Sequence, residues 1–346
     1  MNEFKNILIV RTDRMGDVVL TTPSIKALRK TYPKAKISIL LAPSTRDLID
    51  GNPNIDEILI DDRKKAHRGM GGFVKLVRLL RAKKFDLAIL YHTKKRTNLA
   101  CFLARIPVRM GYKNSKFGFL LTDPIQDIRH HGKQHEVEYC LNLLKHLGIE
   151  DDQREVYVSI QEESQQWLKQ WLKKNKIAKE GQLIAIHPGA SDPSRRWPVN
   201  RFAELVTEMN QRYVCKLVLI GNFDIRETTR SIISLVDFPI LDLTGMTTIS
   251  QLASLLKRCT LLISNDSGPV HVASGVGTPV VSIFTRNQPG INPERWRPLG
   301  KKSRVVSIPP DDEISFAKAG SVDPKYLELI KTQEVLEAVD SVFKLC

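Results

Sequence analysis

Short apolar runs rich in Val, Ile and Leu alternate along the whole chain with longer segments whose apolar residues recur every three or four positions, a pattern that predicts parallel α/β architecture. In the first half the strand-like runs are Asn6 to Arg11, Lys36 to Leu41, Glu57 to Ile60, Asp86 to Tyr91 and Val108 to Gly111. Val18 to Lys30, Gly72 to Lys83, Thr97 to Arg105 and His135 to Leu147 read as the amphipathic helices of that half. The pattern then restarts. Strands are expected at Leu183 to His187, Lys216 to Gly221, Ile240 to Leu243, Leu261 to Ser264 and Val280 to Phe284, separated by helices at Asn200 to Arg212, Ile225 to Leu235, Ile249 to Lys257 and Val270 to Ser274.

Between the two series lies a polar helix, Glu162 to Asn175, and 346 residues exceed what one ordinary core organises. Two doubly wound domains are therefore expected, 1–160 and 161–346, with two closing helices near 322 to 344 packing on whichever domain lies nearest, the first included. Doubly wound sheets bind ligands beyond their strand C-termini. Every chemically suggestive motif of this chain falls at such an end, so one site in a cleft between the domains is the expectation.

Composition narrows the class. With 42% hydrophobic and 26% charged residues the chain is a folded protein. Its net charge of +15 is uneven, since residues 1–160 hold 29 Lys and Arg against 18 Asp and Glu. Such a half draws anionic partners: nucleic acid, a phosphorylated glycolipid or a membrane surface. The five cysteines include no Cys-x-x-Cys pair, so a reducing cytoplasm is expected, with neither disulfide framework nor zinc. The apolar run after Met1 is too short for a signal peptide, and no run reaches membrane-spanning length; membrane association would be peripheral.

The candidate chemistry lies in five places. After the first strand, Arg11-Thr12-Asp13-Arg14-Met15-Gly16-Asp17 lacks the glycines of a dinucleotide fingerprint, which disfavours a nicotinamide enzyme. Asp17, near a helix start, is a candidate general base or a helix cap, and Asp13 competes for either part. The second place is His187-Pro188-Gly189-Ala190-Ser191 with Arg195-Arg196-Trp197-Pro198. There Gly189 suits close approach to a phosphate and Arg195 suits a diphosphate, while Trp197 reads as a packing anchor and Pro198 as a first helical residue. Third, Asp224 follows Gly221 as a sugar-hydroxyl ligand or a cap.

Fourth, Asn265-Asp266-Ser267-Gly268-Pro269-Val270-His271 joins a strand to a helix, offering N–H groups and a dipole to an anion, with Asp266 and Ser267 as simple caps the alternative. Fifth, Arg63, Lys64, Lys65 and Arg68, then Lys94, Lys95 and Arg96, form two basic clusters at strand ends, either a phosphate-recognising surface or solvated faces. No metal-ligand spacing is present, and the adjacent His130 and His131 are expected to point apart. Gly-x-Ser-x-Gly and Walker sequences are absent as well.

Taken together, Met15-Gly16-Asp17-Val18-Val19 with Thr22-Pro23, His135-Glu136-Val137-Glu138, His187-Pro188-Gly189, Arg195-Arg196-Trp197-Pro198 and Asp266-Ser267-Gly268-Pro269-Val270-His271 resemble the ADP-heptose:lipopolysaccharide heptosyltransferases, the ninth glycosyltransferase family, over nearly the whole chain. The resemblance implies a GT-B fold, two Rossmann-like domains flanking a cleft, the acceptor on the first and the nucleotide-sugar on the second. It implies inverting transfer with no metal and no cofactor, the nucleotide-sugar being a substrate. Asp17 matches the family's proposed base. His187, Gly189, Ser191, Arg195, Asp224, Asp266, Ser267, Gly268 and His271 fall on the donor side, and Asp13 with the two basic clusters on the acceptor side. Arg195 stands where the family commonly has lysine and Ser267 where several members have threonine.

The expected partners are ADP-heptose or a related nucleotide-sugar, an anionic lipopolysaccharide core glycolipid and the cytoplasmic face of the inner membrane. With 7% aromatics and none within the basic runs, nucleic acid is not expected. The polar loop Thr285 to Pro293 departs from the family's short Gly-Pro-Thr loop and leaves another donor sugar or base open. An epimerase or hydrolase of the same fold, and a non-catalytic binder of anionic ligands, are the rival readings.

Overall fold

The computed structural model describes residues 3–310 and 327–345. It divides into two units, Met1–Ser159 and Ile160–Cys346, each built on a six-stranded parallel sheet. The first unit runs β1 (Asn6–Arg11), α1 (Met15–Thr31), β2 (Lys36–Leu41), β3 (Glu57–Ile60), α2 (Gly69–Lys83), β4 (Leu87–Leu90), α3 (Lys95–Leu103), β5 (Val108–Lys113), β6 (Asp123–Gln126) and α4 (Glu136–Lys145). Its strand order is β3-β2-β1-β4-β5-β6. The central strands are unbroken apolar runs because helices cover both of their faces. Leu8 and Val10 of β1 pack under Leu76 and Leu80 of α2 and Ala100 and Cys101 of α3. Ile7 and Ile9, one residue out of phase, turn to the opposite face, and α1 packs against α4.

The second unit runs α5 (Glu162–Lys174), β7 (Gln182–His187), α6 (Val199–Arg212), β8 (Cys215–Leu219), α7 (Arg226–Ser234), β9 (Leu241–Asp242), α8 (Ile249–Arg258), β10 (Leu261–Asn265), α9 (Gly268–Val276), β11 (Val280–Phe284), α10 (Pro293–Trp296), β12 (Arg304–Ser307) and α11 (Thr332–Phe343). Its order is β12-β11-β10-β7-β8-β9, so the first strand again lies between the second and the fourth. The closing helix α11 packs within this unit, burying Val335, Leu336, Val339 and Val342 in a core shared with Phe202, Val206 and Ile283. The earlier closing helix expected from about residue 322 falls largely on residues outside those described.

Two strands escaped the hydrophobic pattern. β6 is a half-exposed edge strand, Asp-Pro-Ile-Gln, and β12 is four residues with one buried valine, so neither needs an apolar run. Helix starts also moved. α1 begins three residues before the expected Val18, which puts Asp17 inside its first turn, and α3 begins two residues before Thr97. Pro198 caps α6 and Val199 is the first helical residue.

In each sheet the winding direction reverses between the first and fourth strands, β1 with β4 and β7 with β10. Beyond the carboxyl ends of such a pair the two crossover connections diverge and leave a crevice. Arg11 to Asp17 and Tyr91 to Lys94 lie at the first of these points, His187 to Ser191 and Asn265 to Ser267 at the second.

Candidate active site

The candidate site of the first unit is organised by Arg11, the last residue of β1, whose side chain is only 1% exposed. Its Nη1 donates to the Tyr91 carbonyl (3.0 Å) and its Nε to the Asp17 carbonyl (3.1 Å). Its Nη2 is shared between Asp17 Oδ1 at 2.9 Å and Glu136 Oε1 at 3.0 Å, and Asp13 Oδ1 lies 3.3 Å from Nε. Burial alone would ease the proton off this guanidinium; Asp13, Asp17 and Glu136 more than reverse that and hold it firmly cationic.

Asp17 is thus held by an ion pair in the first turn of α1, whose N-cap position is taken by Arg14. The Asp17 side chain stays 18% exposed. Asp13 is more enclosed, and burial raises its pKa against the pull of Arg11. His92, 3.5 Å from Asp13 Oδ2, is driven down to about 2 by burial and by Lys94, Arg11, Arg129 and Arg63, so its imidazole is neutral.

The basic clusters divide into tethers and free cations. Arg96 clamps the buried carboxylate of Asp61 through Nε and Nη2, both at 2.9 Å, and also reaches the His67 carbonyl. Arg63 joins it at 3.1 Å. Burial would raise the Asp61 pKa, but these two guanidiniums bring it below its usual value. Lys64 and Lys65 give their backbone N–H groups to Asp62 Oδ1 and leave their side chains in solvent with that of Arg68. Lys94 caps α3, half-buried, its pKa lowered by burial and by Arg63 despite Asp13. Lys95 stands over the Phe117 ring at 5.7 Å.

In the second unit His187, at the end of β7, places Nδ1 3.2 Å from Ser264 Oγ and 3.1 Å from Ser267 Oγ. Burial, helped by Arg196, lowers its pKa to about 4. Arg195 bridges the β7 and β10 loops, with Nη2 donating to Ser191 Oγ at 2.7 Å and Nη1 to Asp266 Oδ2 at 3.1 Å. These bonds use two of its five N–H donors. Asp266 pairs with Arg195, Ser267 turns to His187, and α9 starts at Gly268 with no side-chain cap from Ser267. His271, in the first turn of α9, is buried with its ring centroid 6.3 Å from that of Trp296.

Gly189 and Asp224 follow the neighbouring strands β7 and β8. A Cβ on Gly189 would lie 2.9 Å from Ile225 and 3.2 Å from His187 Nε2, so the missing side chain admits Ile225. Asp224 sits exposed on the turn after β8, accepting from Asn222 Nδ2 at 2.8 Å. Trp197 is the anchor expected, 1% exposed and donating to the Ile330 carbonyl. His130 and His131 do not diverge, because a 3₁₀ turn brings their ring centroids within 4.0 Å. Among the described residues no group of three His, Cys, Asp or Glu is placed to hold a metal ion.

Three residues matter that the sequence did not single out. Arg11 looked like the end of a strand and Glu136 like part of a helix start. Arg286, just past β11, is 7% exposed and donates to Asp192 Oδ2 (3.2 Å) and Ser194 Oγ (2.9 Å). Burial lowers its pKa, with Arg195 adding to the effect and Asp192 opposing it. The available signal was an arginine at the end of an apolar strand, repeated at Arg11 and Arg286.

Two doubly wound domains of this winding order, with their candidate residues beyond the strand carboxyl ends, are the two-domain GT-B class of fold. The family model for glycosyltransferase family 9 (heptosyltransferase) matches residues 73–325, and the chain belongs to that family. It is 27% identical over 343 residues to lipopolysaccharide heptosyltransferase 3 of Escherichia coli K12, covering 94% of this chain and 95% of the relative. Among solved structures, a family 9 glycosyl transferase from Veillonella parvula superposes with a TM-score of 0.87 at 25% identity, covering 99% and 98% of the two chains. Escherichia coli ADP-heptose lipopolysaccharide heptosyltransferase II superposes with a TM-score of 0.77 at 22% identity, covering 98% of each.

Proposed function

We propose that the protein transfers heptose from ADP-heptose to a hydroxyl of a phosphorylated lipopolysaccharide core acceptor, with inversion and with no metal. The observation that carries this reading is the β7/β10 switch point, where the N-terminus of α9, with the Ser267 side chain turned to His187, stands beside Arg195. A departing nucleoside diphosphate gains negative charge as its bond to the sugar breaks, and fixed N–H groups with a guanidinium stabilise that charge as it develops. Arg286, held by Asp192, adds a second cation close to the first.

On the acceptor side Asp17 Oδ takes the proton of the attacking hydroxyl. The hydroxyl oxygen bonds to the anomeric carbon, and ADP leaves with the electron pair of the broken C–O bond. One displacement inverts that carbon. A carboxylate beside a lone arginine would be a poor base. Glu136 shares the same Nη2, and Asp13 lies by Nε, so Arg11 orients Asp17 while its charge is divided among three carboxylates. Lys64, Lys65, Arg68, Lys94 and Lys95 are the cations for the acceptor's phosphates, whereas Arg63 and Arg96 shape the loop that carries them.

The test is release of ADP and mass-spectrometric detection of the heptosylated core, with Asp17→Asn alongside. The variant is expected to bind ADP normally and to lose at least about a hundredfold in turnover. Near-normal turnover would remove Asp17 from the role of base. ADP-heptose consumed at the same rate without acceptor would favour a hydrolase or epimerase, and stabilisation by UDP-sugars alone would move the donor assignment.

A further inference from the structure

Residues 63–122 hold 16 Lys and Arg and a single acid, Asp86. The whole chain has 53 basic and 38 acidic residues, so 37 of each remain elsewhere, and the net charge of the protein resides in this stretch. Asp86, just before β4, turns its carboxylate to the backbone N–H groups of Lys5 and Asn6. The stretch supplies α2 and α3, the helical layer on one face of the first sheet, together with β4 and β5 of the sheet itself. α2 and α3 pack on the same core residues, and Leu121, just after the 3₁₀ turn Gly118–Leu120, joins them. Their outer faces therefore look the same way.

Those outer faces are not what a helix turned to water shows. On α2 the exposed stripe is Met70 and Val74 followed by Lys75, Arg78 and Arg81. On α3 it is Lys95, then Phe102 and Leu103, with Phe119 of the adjoining turn 76% exposed. Cations lie over the aromatics, Arg109 over Phe102 at 5.6 Å and Lys95 over Phe117 at 5.7 Å. Apolar and aromatic side chains among lysines and arginines, with no acid on α2, on α3 or in the Gly118–Leu120 turn, are the chemistry of an anionic lipid interface. The rings and aliphatic chains enter the headgroup region and the cations meet the phosphates.

We infer that the α2–α3 face, with the turn at Phe119, docks the protein on the surface of an anionic bilayer. A surface recognising an acidic protein or a nucleic acid has no comparable use for Met70, Val74, Leu103 and an outward Phe119 together. The docking extends the proposed reaction, whose lipid-linked acceptor lies in such a bilayer, but requires neither substrate.

The test is sedimentation of the full chain with vesicles of phosphatidylcholine, or of phosphatidylcholine with about one-third phosphatidylglycerol. The wild type should bind the anionic vesicles at least about tenfold more tightly and be released by salt. The triple variants Phe102→Ser/Leu103→Ser/Phe119→Ser and Lys75→Glu/Arg78→Glu/Arg81→Glu should each lose at least about tenfold in that binding, with ADP binding unchanged as a check on folding. A Phe119→Trp variant should show extra fluorescence quenched by brominated lipid. Equal binding of the two vesicle types, wild-type binding by either triple variant, or an unquenched Trp at 119 would overturn the proposal. So would binding of single-stranded RNA or an acidic protein in place of vesicles. Because the vesicles contain no acceptor or donor, failure here leaves the transferase reading intact, and an active Asp17→Asn enzyme leaves this one intact.

Discussion

A guanidinium as enclosed as that of Arg11 is tolerable only among carboxylates, and the way its bonds are divided sets the chemistry of Asp17. Glu136 faces the same nitrogen from α4, Asp13 faces Nε from the loop, and Asp17 lies on α1, so three elements meet at one charge. Removing the negative charge of Glu136 leaves more of Arg11 to Asp17 and lowers the basicity of its carboxylate. Glu136→Gln is therefore expected to reduce kcat by roughly tenfold and to move the acid limb of the pH–rate profile down by up to roughly one unit. A profile that stays in place while kcat falls would mean that Glu136 only supports the fold. None of this was legible in the sequence, because Arg11 and Glu136 are 125 positions apart and meet only once β1 and α4 have packed.

At the scale of elements, the β3–α2 loop shows how a basic run separates into cations of different use. Asp61 is buried and held by Arg96 from the first turn of α3, which ties the loop to a helix lying beyond the next strand. Arg96→Ala would leave a buried carboxylate short of its main partner and is expected to destabilise the first unit by about 3 kcal/mol at neutral pH, measured by urea unfolding. The sign of the pH dependence follows from Asp61, whose folded pKa is depressed. Its contribution is complete above the unfolded value of about 3.9 and is lost as pH falls through the lower folded value, so the gap between wild type and variant closes in acid. A gap that persisted at low pH would show that the loss came from packing of Arg96 over Phe73. The sequence showed that the run was basic; which of its members stay available to a ligand depended on where Asp61 was buried.

At the scale of the molecule, two sheets of the same winding order carry two separate cores, and a ligand held by one stabilises that core first. All four tryptophans, Trp167, Trp171, Trp197 and Trp296, lie in the second unit, so their fluorescence reports its unfolding alone. ADP at about a hundred times its dissociation constant is expected to stabilise the tryptophan-detected transition by about 2.7 kcal/mol. Hydrogen exchange in β1, β2 and β4 should change far less. Equal protection of both sheets would place the nucleotide elsewhere. Strands and helices with an apolar side to bury, the two-part organisation, the loops at strand ends and the family were all legible along the chain, because each is written in local periodicity or in short contiguous motifs. β6 and β12 escaped it because short, partly exposed strands need no apolar run. Only the tertiary structure decided that β1 lies beside β4 and β7 beside β10, that Arg11 divides its charge between Asp17 and Glu136, that Arg286 joins Arg195, and that Met70, Phe102 and Phe119 share one cationic face. Those are meetings of residues far apart in the chain, and sequence spacing carries no distance between strands until the order of the sheet is set.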